Sequence, residues 1–170
     1  DIKKIKGCQN EGLSPRAKLA LQIAVSMLPA VYLVYQGQTD ISIFNFHINL
    51  FYLYPFFAVF MIVGSSNALN LTDGLDGLAS GCAFFSFLAC SVICYINSNT
   101  DLAIISAAAS AACLGFLYFN RNPAKIFMGD TGSLALGGLL ATIAVMGKFE
   151  LWLIPIGIIF IAETLSVMLQ

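Results

Sequence analysis

The sequence predicts an all-α polytopic membrane protein, one integral membrane domain over residues 1–170. Three observations carry this. The chain is 59% hydrophobic and 10% charged, with a mean hydropathy of +0.86, whereas soluble domains carry about 25% charged residues. Six apolar stretches approach the roughly 20 residues that a helix needs to cross a bilayer. The basic residues gather on one side of those stretches.

The stretches run over residues 17–35, 50–66, 78–96, 102–119 and 132–147, and from 151 to the end of the chain. Between the first two, "FNFHINL" alternates apolar and polar residues, which predicts a short strand or hairpin outside the membrane near 41–50. Pro29, Pro55 and Pro155 fall inside predicted spans, where neighbouring helices tolerate them. The run "AAASAAC", residues 107–113, is small enough to let helices approach closely. Asp1 opens the chain and the last apolar run reaches Gln170, so the chain reads as an internal piece of a longer protein. Its start is charged and lacks the apolar core of a signal peptide. Five cysteines form no CxxC pair or Cys/His cluster, and they read as small packing residues rather than a zinc site.

With six spans the connections alternate sides. Lys3, Lys4, Lys6, Arg16, Lys18, Arg121 and Lys125 share one side, and only Lys148 lies on the other. The positive-inside rule makes the first side cytoplasmic. Asp1, Asp73, Asp76 and Asp130 then face the cytoplasm, while Asp40, Asp101 and Glu150 fall outside in ordinary loops. The net charge of −1 gives no bulk attraction to nucleic acid. An ion-coupled transporter would carry acids deep in its spans, whereas here only Glu163 lies within one, near its end.

The chemistry concentrates in "NALNLTDGLDGLASG", residues 67–81, where Asn67, Asn70, Asp73 and Asp76 recur every third residue. Each such step turns a side chain by about 60° on a straight helix, so the four cannot share one narrow face. Gly74 and Gly77 predict that the span ends near Asn70 in a tight turn, with both acids aimed into a pocket. Helix capping accounts for one such residue, not for four. In "KIFMGDTGSLALGG", Thr131 or Ser133 is expected to cap the next span and leave Asp130 free, beside glycines that let a phosphate approach the backbone. Asp1 and Lys4 share one side of a turn in "DIKKIKG". Carboxylates gathered near a bilayer repel one another, and Mg²⁺ with substrate phosphates would offset that repulsion.

"NALNLTDGLDGLA", "FMGDTGSLALGG" and "ETLSVMLQ" closely resemble the motifs of the phospho-N-acetylmuramoyl-pentapeptide-transferases, bacterial members of the polyprenyl-phosphate N-acetylhexosamine-1-phosphate transferase superfamily. The first two motifs are specific to the superfamily. "ETLSVMLQ", with Glu163, favours the muramoyl-pentapeptide branch over sister transferases that move GlcNAc-1-phosphate from UDP-GlcNAc. The resemblance implies the central portion of a ten-span enzyme of the bacterial cytoplasmic membrane, with its active site facing the cytoplasm. That enzyme moves phospho-MurNAc-pentapeptide from its UDP carrier to undecaprenyl phosphate, giving lipid I and UMP with Mg²⁺ as cofactor. The UDP-MurNAc-pentapeptide, the polyprenyl phosphate and the lipid bilayer are the implied partners, with a homodimer as the implied assembly.

Residue by residue, the resemblance makes Asp1 the second acid and Lys4 the lysine of a DDxxK motif. Asp130 becomes the Mg²⁺-binding acid and Asp76 the partner of uracil. Phe127 stacks on that base, with Asn70, Asp73, Gly74, Leu75 and Gly129 lining the same pocket. Asn67, in the same motif, joins this substrate-binding set. The first acid of DDxxK and a histidine-rich loop are expected beyond the two ends, and His47 lies on the wrong side to replace them, so the piece is expected to be inactive alone. Direct attack by the lipid phosphate and a two-step route through a phosphoryl-aspartate both remain open.

Overall fold

The computed structural model describes residues 14–43 and 46–169. The first helix, α1, covers Pro15–Tyr35. Ser14 caps it in extended conformation, its hydroxyl accepting from the Ala17 N–H at 3.3 Å, and proline opens the first turn, where no backbone donor is needed. Gly37 closes the helix at φ +72°, a left-handed position that suits glycine. Strands β1 (Asp40–Ile43) and β2 (Phe46–Asn49) then form the predicted hairpin, with Asp40 opposite Asn49 and Ser42 opposite His47.

A short 3₁₀ turn, Phe51–Leu53, leads into α2 (Tyr54–Thr72). Two expectations change here. The helix starts later, so Pro55 lies in its first turn rather than inside the span. It also runs past residue 66 to Thr72, close to the expected end near Asn70, so Asn67 and Asn70 are helical. Both asparagines find partners on other helices, which removes the usual reason for Asn to end one.

Helix α3 spans Leu78–Ile96 as predicted, and α4 spans Thr100–Asn120 with Asn99 as its cap. The two pack as an antiparallel pair stitched by hydroxyls: Ser110 donates to the Phe84 carbonyl at 2.9 Å and Ser91 to the Ala103 carbonyl at 3.0 Å. Only part of the small-residue run faces this contact. Ser110 and Cys113 are buried, while Ala107, Ala108, Ala111 and Ala112 are exposed. Helix α5, Gly129–Met146, packs along α2.

The last apolar run is broken, not continuous. Helix α6 (Leu153–Ile156) and α7 (Ile158–Leu169) meet at Gly157, and the two halves of this segment bend by 72°. A β-carbon on Gly157 would stand 2.9 Å from the Leu153 carbonyl oxygen. The Ser86 hydroxyl donates to the Ile156 carbonyl at the break, at 3.1 Å. Pro155 therefore sits in a one-turn helix, and Pro29 alone is interior to a span.

Among the described residues, five helices are long and apolar enough to cross a membrane, and the bent segment would make a sixth. The chain is a multi-pass membrane protein. Between 17% and 39% of each spanning window is buried within the described residues, so most of the apolar surface faces outward. Lipid gives no hydrophobic drive for helix association, and small residues and interhelical hydrogen bonds take that role. The core follows suit, with Ala58, Ala79, Ala83, Ala141 and Ala144 fully buried around Leu69, Phe87 and Leu140. The hairpin marks one end of the bundle; the 73–77 and 121–128 connections mark the other, the site end.

Glu150 is not the ordinary loop residue its sequence context predicts. It is 1% exposed at the hairpin end, where its carboxylate accepts from the Tyr54 hydroxyl at 2.6 Å and pairs with the Lys148 ammonium at 3.3 Å. Lys148 also donates to the Gln38 carbonyl and lies 4.2 Å from the Tyr54 ring centre. This knot ties the hairpin approach to α2 and to the α5–α6 connection.

Candidate active site

Helices α1, α2 and α5 bring their polar residues together at the site end. The α2 side chain of Asn70 donates through Nδ2 to Asp130 Oδ1 at 3.0 Å and to Ser133 Oγ at 2.8 Å. Ser133 in turn donates to the Gly129 carbonyl at 2.9 Å. From α1, Lys18 reaches Asp130 Oδ2 at 3.0 Å. Asp130 thus meets an amide and an ammonium, and the positive end of the α5 dipole favours its charge in the first turn. The expectation that Thr131 or Ser133 caps α5 and frees Asp130 is corrected. The cap position is Met128 with no side-chain bond, and Ser133 serves the first turn from within.

Asp73 joins the cluster from just beyond the end of α2. Burial pushes its carboxyl above the ordinary range; a hydrogen bond from the Gly129 backbone lowers it, and the Asp130 charge raises it again. Two carboxylates thus stand close enough to oppose each other's ionisation. Gly129 takes φ +67°, which leaves its backbone open beside both acids.

Asp76 is placed differently. Its Oδ2 accepts from the Ala124 N–H at 3.0 Å and from Asn122 Nδ2 at 3.3 Å, so it grips the 121–128 loop. Asn120, 3% exposed, completes the grip. Its Oδ1 accepts from the Gly77 N–H and the Ser80 hydroxyl, and its Nδ2 donates to the Ile126 carbonyl. Gly77 takes φ +79°, a left-handed position that suits glycine, where the chain turns against Arg121. The loop presents Phe127 at 74% exposure, and Leu75 is 66% exposed beside exposed Gly74.

The structure therefore brings Asn70, Asp73, Gly129 and Asp130 into one cluster. Asp76 and Phe127 belong to an adjoining loop clasp at the same end. The Asn67 side chain bonds instead to Gln22 of α1. Asp1 and Lys4 lie outside the described residues. Sequence reasoning missed Lys18, Gln22, Ser133 as a ligand of Asn70, and the Asn120–Asn122 pair. Lys18 was legible only as one more basic residue, although its spacing of four from Gln22 places both on one helix face.

Among the described residues, no three His, Cys, Asp or Glu side chains group as a metal cage. Mg²⁺ does not require one, because it is held by one or two carboxylates with water and substrate phosphates. The all-oxygen pair Asp73 and Asp130, partly exposed and mutually repelling, fits such an ion.

The chain is 49% identical over 173 residues to phospho-N-acetylmuramoyl-pentapeptide-transferase from Bacillus subtilis (strain 168), covering 100% of this chain and 53% of that protein. It is 47% identical over 173 residues to the protein of the same name from Bacillus licheniformis, again 100% against 53%. With the Streptococcus pneumoniae R6 protein of that name it shares 47% identity over 171 residues, 100% against 52%. The chain spans about half the length of the curated relatives it matches. The family model described as glycosyl transferase family 4 matches residues 9–148, most of the helical bundle with both acidic motifs, and the chain belongs to that family.

Proposed function

We propose that this chain supplies the acid-bearing core of an enzyme that transfers phospho-MurNAc-pentapeptide from UDP to undecaprenyl phosphate, yielding lipid I and UMP. The observation that carries it is the cluster of Asp73, Asp130, Asn70 and Lys18 at the membrane surface end of the bundle. The name borne by relatives that match the whole chain supports the transferred group, and the resemblance of the motifs supports its UDP carrier and the lipid acceptor. Positive residues on that side argue that it faces the cytoplasm, where nucleotide sugars reside.

In this reading an oxygen of the lipid phosphate attacks the β-phosphorus of the UDP-sugar. The β-phosphorus–oxygen bond to UMP breaks, and the leaving group carries away the electron pair. Both reactants are anionic, so neutralising charge is the central task. Asp130 and Asp73 would hold Mg²⁺, which supplies Lewis-acid stabilisation of the diphosphate when bound. Lys18 adds a fixed positive charge beside Asp130. Asn70 locks the Asp130 carboxylate through one oxygen. The loop clasped by Asp76 and Asn120 offers Phe127 as a stacking face for the base, and holding both reactants in place lowers the barrier further.

The test uses the full-length enzyme with both substrates and Mg²⁺. Asp130→Asn should abolish UMP release without lowering the amount of protein in the membrane. Retained Mg²⁺-dependent release would remove Asp130 from the metal role. Release from UDP-GlcNAc in preference to UDP-MurNAc-pentapeptide would favour the sister transferases instead.

A further inference from the structure

Asn67 belongs to the acidic motif by sequence, yet its side chain takes no part in the cluster. Its Nδ2 donates to Gln22 Oε1 of α1 at 3.0 Å and to the Val63 carbonyl of its own helix at 2.8 Å. Gln22 Nε2 returns a longer bond to Asn67 Oδ1, at 3.4 Å. The two amides therefore face each other between α1 and α2, one turn deeper than the acids.

The depth matters. Gln22 follows Lys18 by four residues, about 6 Å along the same face of α1. Asn67 precedes Asn70 by three residues, about 4.5 Å along α2. The amide pair and the Lys18–Asp130–Asn70 group are thus successive rungs across the same helices. The upper rung depends on α5, but α1 packs mainly on α2 and only marginally on α5. Lys18 consequently inherits its aim at Asp130 from how α1 is registered on α2. Toward the hairpin end the α1 contact stripe consists of Ser26, Ala30 and Leu33, and the Ser26 hydroxyl is spent on the Ile23 carbonyl of its own helix. Such a surface tolerates sliding and rotation. A facing, half-buried Asn–Gln pair resists both, because parting it breaks the directional hydrogen bonds between the two amides.

We infer that Gln22 and Asn67 form a register pin between α1 and α2 that aims Lys18 at Asp130, which makes Gln22 a positioning residue and reassigns Asn67 from substrate binding to the same task. The geometric part stands on the hydrogen bonds; its consequence for turnover rests on the reaction proposed above.

The geometry can be read without catalysis. A water-soluble carbodiimide converts a carboxylate and amine in direct contact into an amide, so the full-length enzyme should give a Lys18–Asp130 cross-linked peptide by mass spectrometry. Gln22→Met keeps length but removes the amide, and should lower that yield at least five-fold. Asn67→Leu should do the same. The exchanged pair, Gln22→Asn with Asn67→Gln, retains one long and one short amide and should recover most of the yield. In parallel, Gln22→Met should lower kcat about ten-fold with the KM for the UDP-sugar unchanged, and the exchanged pair should restore it. An unchanged cross-link yield in Gln22→Met would overturn the pin. Failure of the exchanged pair to recover kcat while it recovers the cross-link would return Asn67 to the substrate and overturn the reassignment. A reduced cross-link with unaltered kcat would overturn the positioning role. None of these outcomes repeats the Asp130→Asn result, so failure of the pin and failure of the proposed reaction remain distinguishable.

Discussion

Ser66 on α2 donates its hydroxyl to the Leu134 carbonyl on α5 at 2.8 Å, and beside this bond Gly137 brings the two backbones together. A β-carbon on Gly137 would lie 2.7 Å from the Ser66 Cα. This crossing sets the distance between Asn70 and Asp130 one to two turns away, so packing in the membrane and geometry at the site are linked.

Gly137→Ala should therefore destabilise the protein by about 1–3 kcal/mol, the usual range for overpacking. Gly138, with nothing within 4 Å of a built β-carbon, provides the control. Gly138→Ala should be neutral or gain up to about 1 kcal/mol from helix propensity. Thermal unfolding in detergent distinguishes the two, and equal melting temperatures would contradict the crossing.

Asp76 is expected to affect the nucleotide through the loop it grips. Asp76→Ala should speed amide exchange at Ala124 and its neighbours, because the Ala124 N–H loses its acceptor. Phe127→Ala should leave that exchange unchanged while weakening UDP-sugar binding by about 1–3 kcal/mol, the range for loss of a base-stacking aromatic. Hydrogen exchange by mass spectrometry, paired with calorimetric titration, separates the two effects.

At the hairpin end, Glu150→Gln should cost about 3 kcal/mol, toward the low end for breaking a buried pair because Lys148 keeps 20% of its side chain exposed. Removing both charges, as Lys148→Met with Glu150→Gln, should recover most of the loss. A double-mutant cycle in thermal unfolding measures the coupling, and additive losses would mean that the pair is not coupled.

The raised Asp73 carboxyl has a pH signature in metal-free protein. A carboxyl whose folded pKa exceeds its unfolded value binds more protons when folded. Its stabilising contribution is present in acid and is lost as pH rises through the interval just above the ordinary carboxylate pKa. Asp73→Asn removes the burial and repulsion of that charge. The variant should thus melt higher relative to the parent at pH 7 than at pH 4, with chelator present. An equal difference at both pH values would show that Asp73 does not carry the penalty.

Several features of this fold were legible because they depend on local pattern. The span at Leu78–Ile96, the hairpin and the gathering of acids at one end follow from apolar run length, period-two alternation and charge sidedness. The misses share a tertiary cause. Asn67 and Asn70 lie past the apolar run that stops at residue 66, but partners on α1 and α5 hold them in the helix. Glu150 read as a loop acid because nothing near it in sequence reveals that Tyr54, 96 positions away, meets it. The break at Gly157 was masked by an uninterrupted apolar run, and only the close Leu153 carbonyl and the Ser86 hydroxyl give it a location. At the candidate site, Asp130 was identified by its motif, whereas Lys18 needed the folded contact between α1 and α5.

The grip of Asp76 and Asn120 on the loop before Phe127 bears on how tightly a nucleotide could be held. A surface segment that orders only upon ligand capture subtracts its lost conformational freedom from the affinity, at about 0.5–1.5 kcal/mol for each immobilised rotamer-rich side chain. Here the protein's own Asp76 and Asn120 side chains fasten the backbone at Ala124 and Ile126, so that loss is incurred during folding and the recognition surface is preorganised.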